Sequence, residues 1–422
     1  MWSVLNRFRI PELSVDMIKV LDDGMTAKVI HHSNLSALFP ITCGLKQGCV
    51  LALTLFSLYL AAILYEAPHN NPVVAIKYRL DGGIFKLARL KFQRNTNIIN
   101  VTELQYTDDN TAIADTQEEL QELVDNFHAA YMCFGLTVNK AKTKILAKPR
   151  PGENPPVTNI TMDGTTIECI KHFPYLGSIV STQSIFFKEI ENRSQAGHTA
   201  YGRLATRVFM NKDLTTHTKV MVYNTIIVST LLYACETWTL YSKDLENLEQ
   251  FHQKKLRAIM KFKWNGDVSN TAVLERANVI SIEGMITKHH LRWSGHVMCM
   301  EDTRLPKKIL FSELNTGDCP RGRPMHGFKD QLKKSLKEAN IDPNTFEASA
   351  SNRNKWRNKI KVGTDLFEEN RRANLLPKQQ QWAERASQPQ PPPTIQCDRC
   401  LRLFRAQIGL TSHKKAHHSN NN

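Results

Sequence analysis

The stretch Thr102-Glu103-Leu104-Gln105-Tyr106-Thr107-Asp108-Asp109-Asn110-Thr111-Ala112-Ile113-Ala114 decides how the chain is read. Leu104 and Tyr106 enter, and Ala112 and Ile113 leave, a polar tip Thr107-Asp108-Asp109-Asn110, which is the pattern of a β-hairpin. Adjacent carboxylates at a tight turn repel each other and resist desolvation unless a cation sits between them and a phosphate. That chemistry suits a divalent-metal polymerase site. The plainer alternative is a solvated turn in which both acids simply favour the bend.

Outward from the hairpin, Thr116 and Glu119 form a capping box, Leu120, Leu123, Val124 and Phe127 recur at helical spacing, and Gly135 supplies the stop. Upstream, apolar residues from Cys49 to Leu64 occupy nearly every face, which predicts a buried helix. This run is shorter than a bilayer needs and contains Thr54, Ser57 and Tyr59, and MWSVLNRFRIPEL lacks a signal-peptide core, so no membrane span is expected. Ala75 to Leu80 and Ile84 to Leu90 flank Asp81-Gly82-Gly83 and predict a hairpin with a basic rim. A further strand pair is expected for Thr158 to Met162 and Thr165 to Cys169 around Asp163-Gly164.

Beyond residue 185 the periodicity is helical, as in Leu245, Leu248, Phe251, Leu256 and Ile259. Pro320-Arg321-Gly322-Arg323-Pro324 interrupts it, a basic helical stretch runs on to about residue 385, and Gln388 to Pro393 reads as a linker. With 422 residues, 41% of them hydrophobic, the chain has room for about two or three domains. A collagen, a small disulfide scaffold and a disordered chain are excluded. Residues 1–250 carry 24 Lys+Arg against 24 Asp+Glu, whereas residues 251–422 carry 31 against 16. The whole positive excess therefore lies in the C-terminal part, where it favours RNA or DNA as a partner over a membrane surface. Seven of the nine cysteines stand singly and read as reduced thiols, which fits a nuclear or cytoplasmic protein.

Four motifs in order carry a family resemblance. They are Gly44-Leu45-Lys46-Gln47-Gly48-Cys49-Val50-Leu51 with Thr54-Leu55-Phe56; the Asp108-Asp109 tip; Phe134-Gly135-Leu136-Thr137-Val138-Asn139 with Lys142-Thr143-Lys144; and Tyr175-Leu176-Gly177-Ser178. This series resembles motifs B, C, D and E of the reverse transcriptases of non-LTR (LINE-like) retrotransposons. Leu232-Tyr233-Ala234-Cys235-Glu236-Thr237-Trp238 and Leu291-Arg292-Trp293-Ser294-Gly295-His296-Val297 look like the region after the thumb in the same elements.

The resemblance implies an α+β fold. Right-hand polymerase palm and fingers would lie in 1–180, thumb-like and connecting helices in 181–312, a basic helical region in 313–387, a linker in 388–395 and a ββα finger in 396–418. It implies RNA-directed DNA polymerase ancestry with Mg²⁺ held by Asp108 and Asp109. Gln47 and Gly48 would approach template and nucleotide, Lys142 the departing pyrophosphate, and Tyr175, Leu176 and Gly177 the primer. Family motif A, which brings a further Asp, should precede the segment resembling Met1 to Lys28, so an N-terminally truncated and catalytically impaired homologue is expected. Ala52-Leu53 stands where the family shows Ser-Pro. Neighbouring strand residues also point to opposite faces, so a two-metal site needs a carboxylate from another segment. Asp16, Asp22 and Asp23 read as an exposed helix face. An unpaired sheet edge is expected beside the hairpin, and any target nicking would fall to a separate endonuclease-bearing protein. The alternative is a non-catalytic nucleic-acid-binding zinc-finger protein derived from a retroelement.

Cys397-x2-Cys400-x12-His413-x3-His417 has the ligand spacing of a C2H2 zinc finger, with Phe404 and Leu410 as its miniature core and His418 as an alternative last ligand. The base-reading positions Ala406, Gly409 and Ser412 are small, so phosphate contact through residues such as Arg402 and Lys414, or protein contact, is expected instead. In the basic stretch, Arg353, Lys355 and Arg357 with Trp356 and Phe367 suit either phosphate pairing plus stacking, or a helix with buried aromatics and solvated charges. His289, His290 and His296 have no zinc spacing with local cysteines and read as packing or surface residues.

Overall fold

The computed structural model describes residues 1–32, 34–41, 44–45, 49–67, 73–92, 94–149, 158–182, 186–262, 268–314, 327–387 and 393–417. Gln47, Gly48, His418, the Pro320 to Pro324 interruption and residues 388–392 of the linker lie outside the described residues. Short antiparallel sheets seated on helices make the fold α+β.

The helix Val50–Glu66 forms where the apolar run predicts it, but it is not buried all round. Leu60 and Ile63 pack with Leu123, Phe127 and Ala130 of Gln117–Cys133. Leu55 meets Leu5 and Val15 of the first two helices. Val50 and Leu53, at 89% and 70% exposure, face outward. A uniformly apolar helix specifies no face, so its neighbours choose which part is covered. Gln117–Cys133 has the expected reciprocal Thr116–Glu119 cap and ends at Gly135, whose φ is 74°.

The hairpin expected across Asp81-Gly82-Gly83 does not form. Val74–Tyr78 pairs with Asn97–Val101 on one edge and with Ser312–Leu314 on the other, while Leu87–Lys91 is a short 3-10 helix. The intervening loop is clamped from outside. Arg79 hydrogen-bonds Asp81 and, with Arg89 at 2.6 Å from the same carboxylate, holds that group down to about pKa 2. The Glu347 carboxylate accepts from the backbone N–H of Ile84 at 2.7 Å and of Gly83 at 3.2 Å. The Asp163-Gly164 turn does form, with Met162 opposite Thr165 and positive φ at both turn residues.

The C-terminal body has two cores. In the first, Phe187–Leu204, Ser242–Ile259, Asn270–Ala277 and the helical run from Thr216 to Leu231 enclose Tyr223, Trp238, Leu248 and Leu256. The second joins Leu291 and Leu310 to Leu332, Leu336, Phe346 and Trp356, and it takes in Ile84 from the N-terminal part. Packing thus crosses the expected boundaries at 180 and 312, and Ser312–Leu314 crosses the latter in the sheet as well.

Within this second core the indole of Trp356 lies against the backbone of Gly295, its Nε1–H donating to the Leu291 carbonyl at 2.9 Å. A Cβ at Gly295 would stand 2.0 Å from Trp356 Nε1. The glycine of the Leu291–Val297 motif is therefore a seat for an aromatic ring. Gly295→Ala is expected to lower unfolding stability by about 2–3 kcal/mol through overpacking, and Trp356→Ala by about 3–5 kcal/mol. Urea unfolding of the full chain followed by circular dichroism checks both; a loss below about 0.5 kcal/mol, the level of an ordinary surface change, would exclude the seat.

His252, buried in the first core beside the Tyr223 hydroxyl at 2.8 Å, is pushed down to about pKa 4 by desolvation. It stays neutral in the folded chain and takes up a proton on unfolding below about pH 6.5. Stability present above that pH is therefore lost as pH falls from 6.5 towards 4, with a slope of up to about 1.4 kcal/mol per pH unit from this group. His252→Gln should flatten that part of the urea-midpoint profile, and an unchanged profile would remove His252 as its source.

Candidate metal and nucleic-acid sites

The acidic tip is a two-residue turn between Glu103–Tyr106 and Asp109–Ala112, with Tyr106 opposite Asp109. Thr107 takes φ 49°, and the Gln105 amide donates to the Thr107 carbonyl at 2.7 Å. Asp108 consequently sits in the turn and Asp109 opens the return strand. The expected four-residue tip is thus shorter, Asp109 and Asn110 belonging to the return strand, and strand alternation does not apply to Asp108, whose direction the turn sets. Both are exposed, and the Thr107 hydroxyl donates to Asp108 at 3.0 Å. The hairpin rests on Gln117–Cys133, where Asn110 Nδ2 donates to the Tyr131 hydroxyl at 2.9 Å. Among the described residues it has no third strand, and no third ligand-bearing side chain clusters with Asp108 and Asp109. Asp16, on the exposed face of Glu12–Asp22, pairs with Lys19 at 2.8 Å. Lys142 follows an Asn139 turn with its side chain exposed, while Lys144 pairs with Glu168 at 2.7 Å.

Tyr175, Leu176 and Gly177 form a second tight hairpin, in which His172–Tyr175 pairs with Ser178–Ser181. Leu176 has φ 48° and Gly177 φ 79°. A left-handed leucine costs about 1–2 kcal/mol, and three side chains hold it there. The Tyr233 hydroxyl donates to the Leu176 carbonyl at 3.0 Å. Arg193 donates to the Gly177 carbonyl and lies over the Tyr233 ring, 4.6 Å from its centroid. Glu189 receives Arg193 at 2.7 Å in a buried pair and accepts the Ile179 N–H at 2.6 Å. Sequence reading missed these three. Their signal was the Tyr in Leu232–Trp238, whose use depends on a contact distant in sequence.

Arg353, Lys355 and Arg357 are exposed on the helix Arg353–Ser387, whereas Trp356 and Phe367 are buried. This decides the open alternative: the aromatics pack inward and cannot stack on bases. Lys288 and Arg292, one turn apart, line an open recess of about 340 Å³ with Asn224, Asn278 and His289.

At the C-terminus Ile395–Gln396, Leu403–Phe404 and Gln407–His417 form a ββα unit. It brings the ligand atoms of Cys397, Cys400 and His413 within 4.8 Å of one another, and Cys400 Sγ lies 3.0 Å from His413 Nε2. The His417 ring is 5.1 Å from that of His413. Burial raises the Cys397 thiol, but the N–H groups of Arg399 and Cys400 outweigh it and leave the thiol below its usual range. Lys414 pairs with Asp398 at 2.8 Å, and Arg402 lies over the Phe404 ring.

A second cluster contains His289, which is half-exposed. It meets Cys235 and Glu236, and their ligand atoms also lie within 4.8 Å of one another. His290 is a packing residue as expected, buried and donating from Nε2 to the Cys235 carbonyl at 3.0 Å.

The Tyr233 bond to the Leu176 turn carries a prediction. Tyr233→Phe should leave global unfolding nearly unchanged but speed hydrogen exchange of the amides in 175–178 by about fivefold, as expected for a bond with a net value of about 1 kcal/mol. Unaltered exchange there would show that the turn holds without it.

Among the described residues no helix is long and apolar enough to cross a membrane. Residues 2–180 match the family Reverse transcriptase (RNA-dependent DNA polymerase). A transposon-derived protein of Caenorhabditis elegans is 23% identical over 272 residues, which cover 61% of this chain and 94% of that protein. The RNA-directed DNA polymerase from mobile element jockey of Drosophila melanogaster is 23% identical over 237 residues, covering 54% of this chain and 23% of that protein. Its Drosophila funebris counterpart is 22% identical over 255 residues, with 59% and 25% covered. The chain thus matches about a quarter of the length of the jockey polymerases. Residues 2–180 thus match the reverse transcriptase family, and over more than half of its length the chain is similar to the RNA-directed DNA polymerases of jockey mobile elements.

Proposed function

We propose that this chain binds primer and template as a reverse transcriptase homologue whose metal-binding carboxylates are Asp108 and Asp109, and that polymerisation by the chain alone is impaired. The observation that carries the reading is the exposed acidic tip, seated on a well-capped helix inside the stretch that matches the reverse transcriptase family. Bound Mg²⁺ supplies charge neutralisation at the α-phosphate and activation of the primer hydroxyl. In this arrangement Asp108, exposed in the turn, would be the principal oxygen ligand and Asp109 would support it from the strand. A two-metal site takes a further carboxylate from another segment, and the tip itself offers none. Gln47 and Gly48 meet the nascent pair, Lys142 the pyrophosphate, and the braced Tyr175-Leu176-Gly177 turn the primer strand.

The basic half supplies the grip. Arg353, Lys355 and Arg357 pair with phosphates while Trp356 anchors their helix. Cys397, Cys400, His413 and His417 would hold Zn²⁺, which would order the terminal unit; its Arg402 reaches phosphate, as does Lys414 when it leaves Asp398. The exposed cations of the helix also favour a second reading, a nucleic-acid-binding protein without catalysis.

Primer extension on an RNA template with Mg²⁺, beside binding titrations at several salt concentrations, tests both readings. Extension is expected to be weak at most and abolished in Asp108→Ala, with binding unchanged. Extension that survives Asp108→Ala would end the carboxylate assignment. Replacing Arg353, Lys355 and Arg357 together by Gln should reduce the salt slope of log K by about two to three. A slope equal to the parent chain's would move the grip elsewhere.

A further inference from the structure

Cys235 and Glu236 stand in a single 3-10 turn, Cys235–Thr237, and His289 stands on the helix Ile282–Met298, more than fifty residues away in sequence. The fold sets their side chains face to face: His289 Nδ1 is 3.2 Å from Glu236 Oε1, and the Cys235 sulfur lies within 4.8 Å of both ligand atoms. Thiolate, imidazole and carboxylate form a ligand set that Zn²⁺ accepts. With Zn–S near 2.3 Å and Zn–N near 2.0 Å, tetrahedral ligands stand roughly 3.3–3.8 Å apart, so a contraction of about 1 Å closes the cluster on an ion. Thiolate and carboxylate together bring two negative charges to meet the dication.

The surroundings fit a site. A core cysteine is ordinarily a small hydrophobe, but this fully buried one has its sulfur beside two other ligand types. Ala234 takes the left-handed conformation, φ 61°, and the Cys235 carbonyl is held by His290, whose other ring nitrogen is 3.3 Å from the Ser335 hydroxyl. The peptide that carries the sulfur is thus fixed before any ion arrives. The side chains of Glu236 and His289 are 34% and 38% exposed, which leaves an entry path and a fourth position for water.

We propose that Cys235, Glu236 and His289 bind a zinc ion that ties the 235–237 turn to the helix Ile282–Met298. On binding, the Cys235 sulfhydryl gives its proton to solvent and the resulting thiolate bonds the metal; no oxidation occurs. Tyr233, two residues earlier, hydrogen-bonds the Leu176 carbonyl, so the ion would stiffen the segment that braces that turn.

The full chain, stripped of metal and reloaded with Zn²⁺, tests this through metal content after gel filtration. Two zinc ions per chain are expected. Cys397→Ser/Cys400→Ser should keep one, lost on adding His289→Ala, a half-exposed position whose replacement spares the core. Co²⁺ loaded into the Cys397→Ser/Cys400→Ser chain should give a thiolate-to-cobalt charge-transfer band, absent when Cys235→Ser is added. A Cys397→Ser/Cys400→Ser chain that binds neither Zn²⁺ nor Co²⁺ overturns the proposal, as does a zinc content that His289→Ala leaves unchanged. One zinc in the parent chain, lost with His289→Ala and indifferent to Cys397→Ser/Cys400→Ser, would sustain this site and remove the terminal one.

Discussion

The indole of Trp356 against the backbone of Gly295 is the contact on which the C-terminal arrangement depends. One side chain fills the only space a glycine leaves, satisfies its N–H on Leu291, and packs edge-on against Phe346 at 5.4 Å. Around it gather Leu332, Leu336 and Ile360, and from the other direction Ile84 and Leu310. The basic helix Arg353–Ser387 is thereby anchored on its apolar stripe, and Arg353, Lys355 and Arg357 are turned to solvent as a consequence of packing. Glu347 and the Asp81 clamp extend the same junction to the N-terminal sheet, so the reverse transcriptase domain and the helices beyond it share one mechanical unit at this point.

What the sequence reveals follows from the range of the forces involved. The Thr116–Glu119 box, the Gly135 stop and the Asp163-Gly164 turn are set by bonds within a few residues, and they appear where the local pattern puts them. The partner of Val74–Tyr78 is set by two strands, Asn97–Val101 and Ser312–Leu314, of which the second is over two hundred residues away. A turn-forming Asp-Gly-Gly suggested the nearer partner, but Arg79 and Arg89 use that Asp as an anion to close a loop, and no strand register can follow from such a clamp. The apolar helix Val50–Glu66 shows the same limit in another form, because hydrophobicity fixes that it packs and leaves open where.

The candidate sites divide along the same line. Spacing alone exposed Cys397, Cys400 and His413, because a miniature ββα unit keeps its ligands close in sequence. The acidic tip was equally visible, although only the structure moves Asp109 out of the turn and into the return strand. Tyr233, Arg193 and Glu189 escaped notice because nothing local distinguishes a tyrosine that braces a distant turn from one that packs. The basic stretch left two readings open, stacking platforms or buried aromatics, and the burial of Trp356 and Phe367 selects the second.

The two motifs at 232–238 and 291–297 then acquire a common logic. Leu232–Trp238 sends Trp238 into the first core, Tyr233 to the Leu176 turn and Cys235 towards His289. Leu291–Val297 receives Trp356 on its glycine and contributes Leu291 and Val297 to the second core. His290 joins them, donating to the Cys235 carbonyl from the helix that carries the glycine seat. That helix is therefore linked to the Leu176 turn by two hydrogen bonds, His290 to Cys235 and Tyr233 to Leu176, joined by two residue steps of chain. In each of these short, chemically mixed motifs every residue type answers to a different neighbour, so altering one disturbs the alignment of the others.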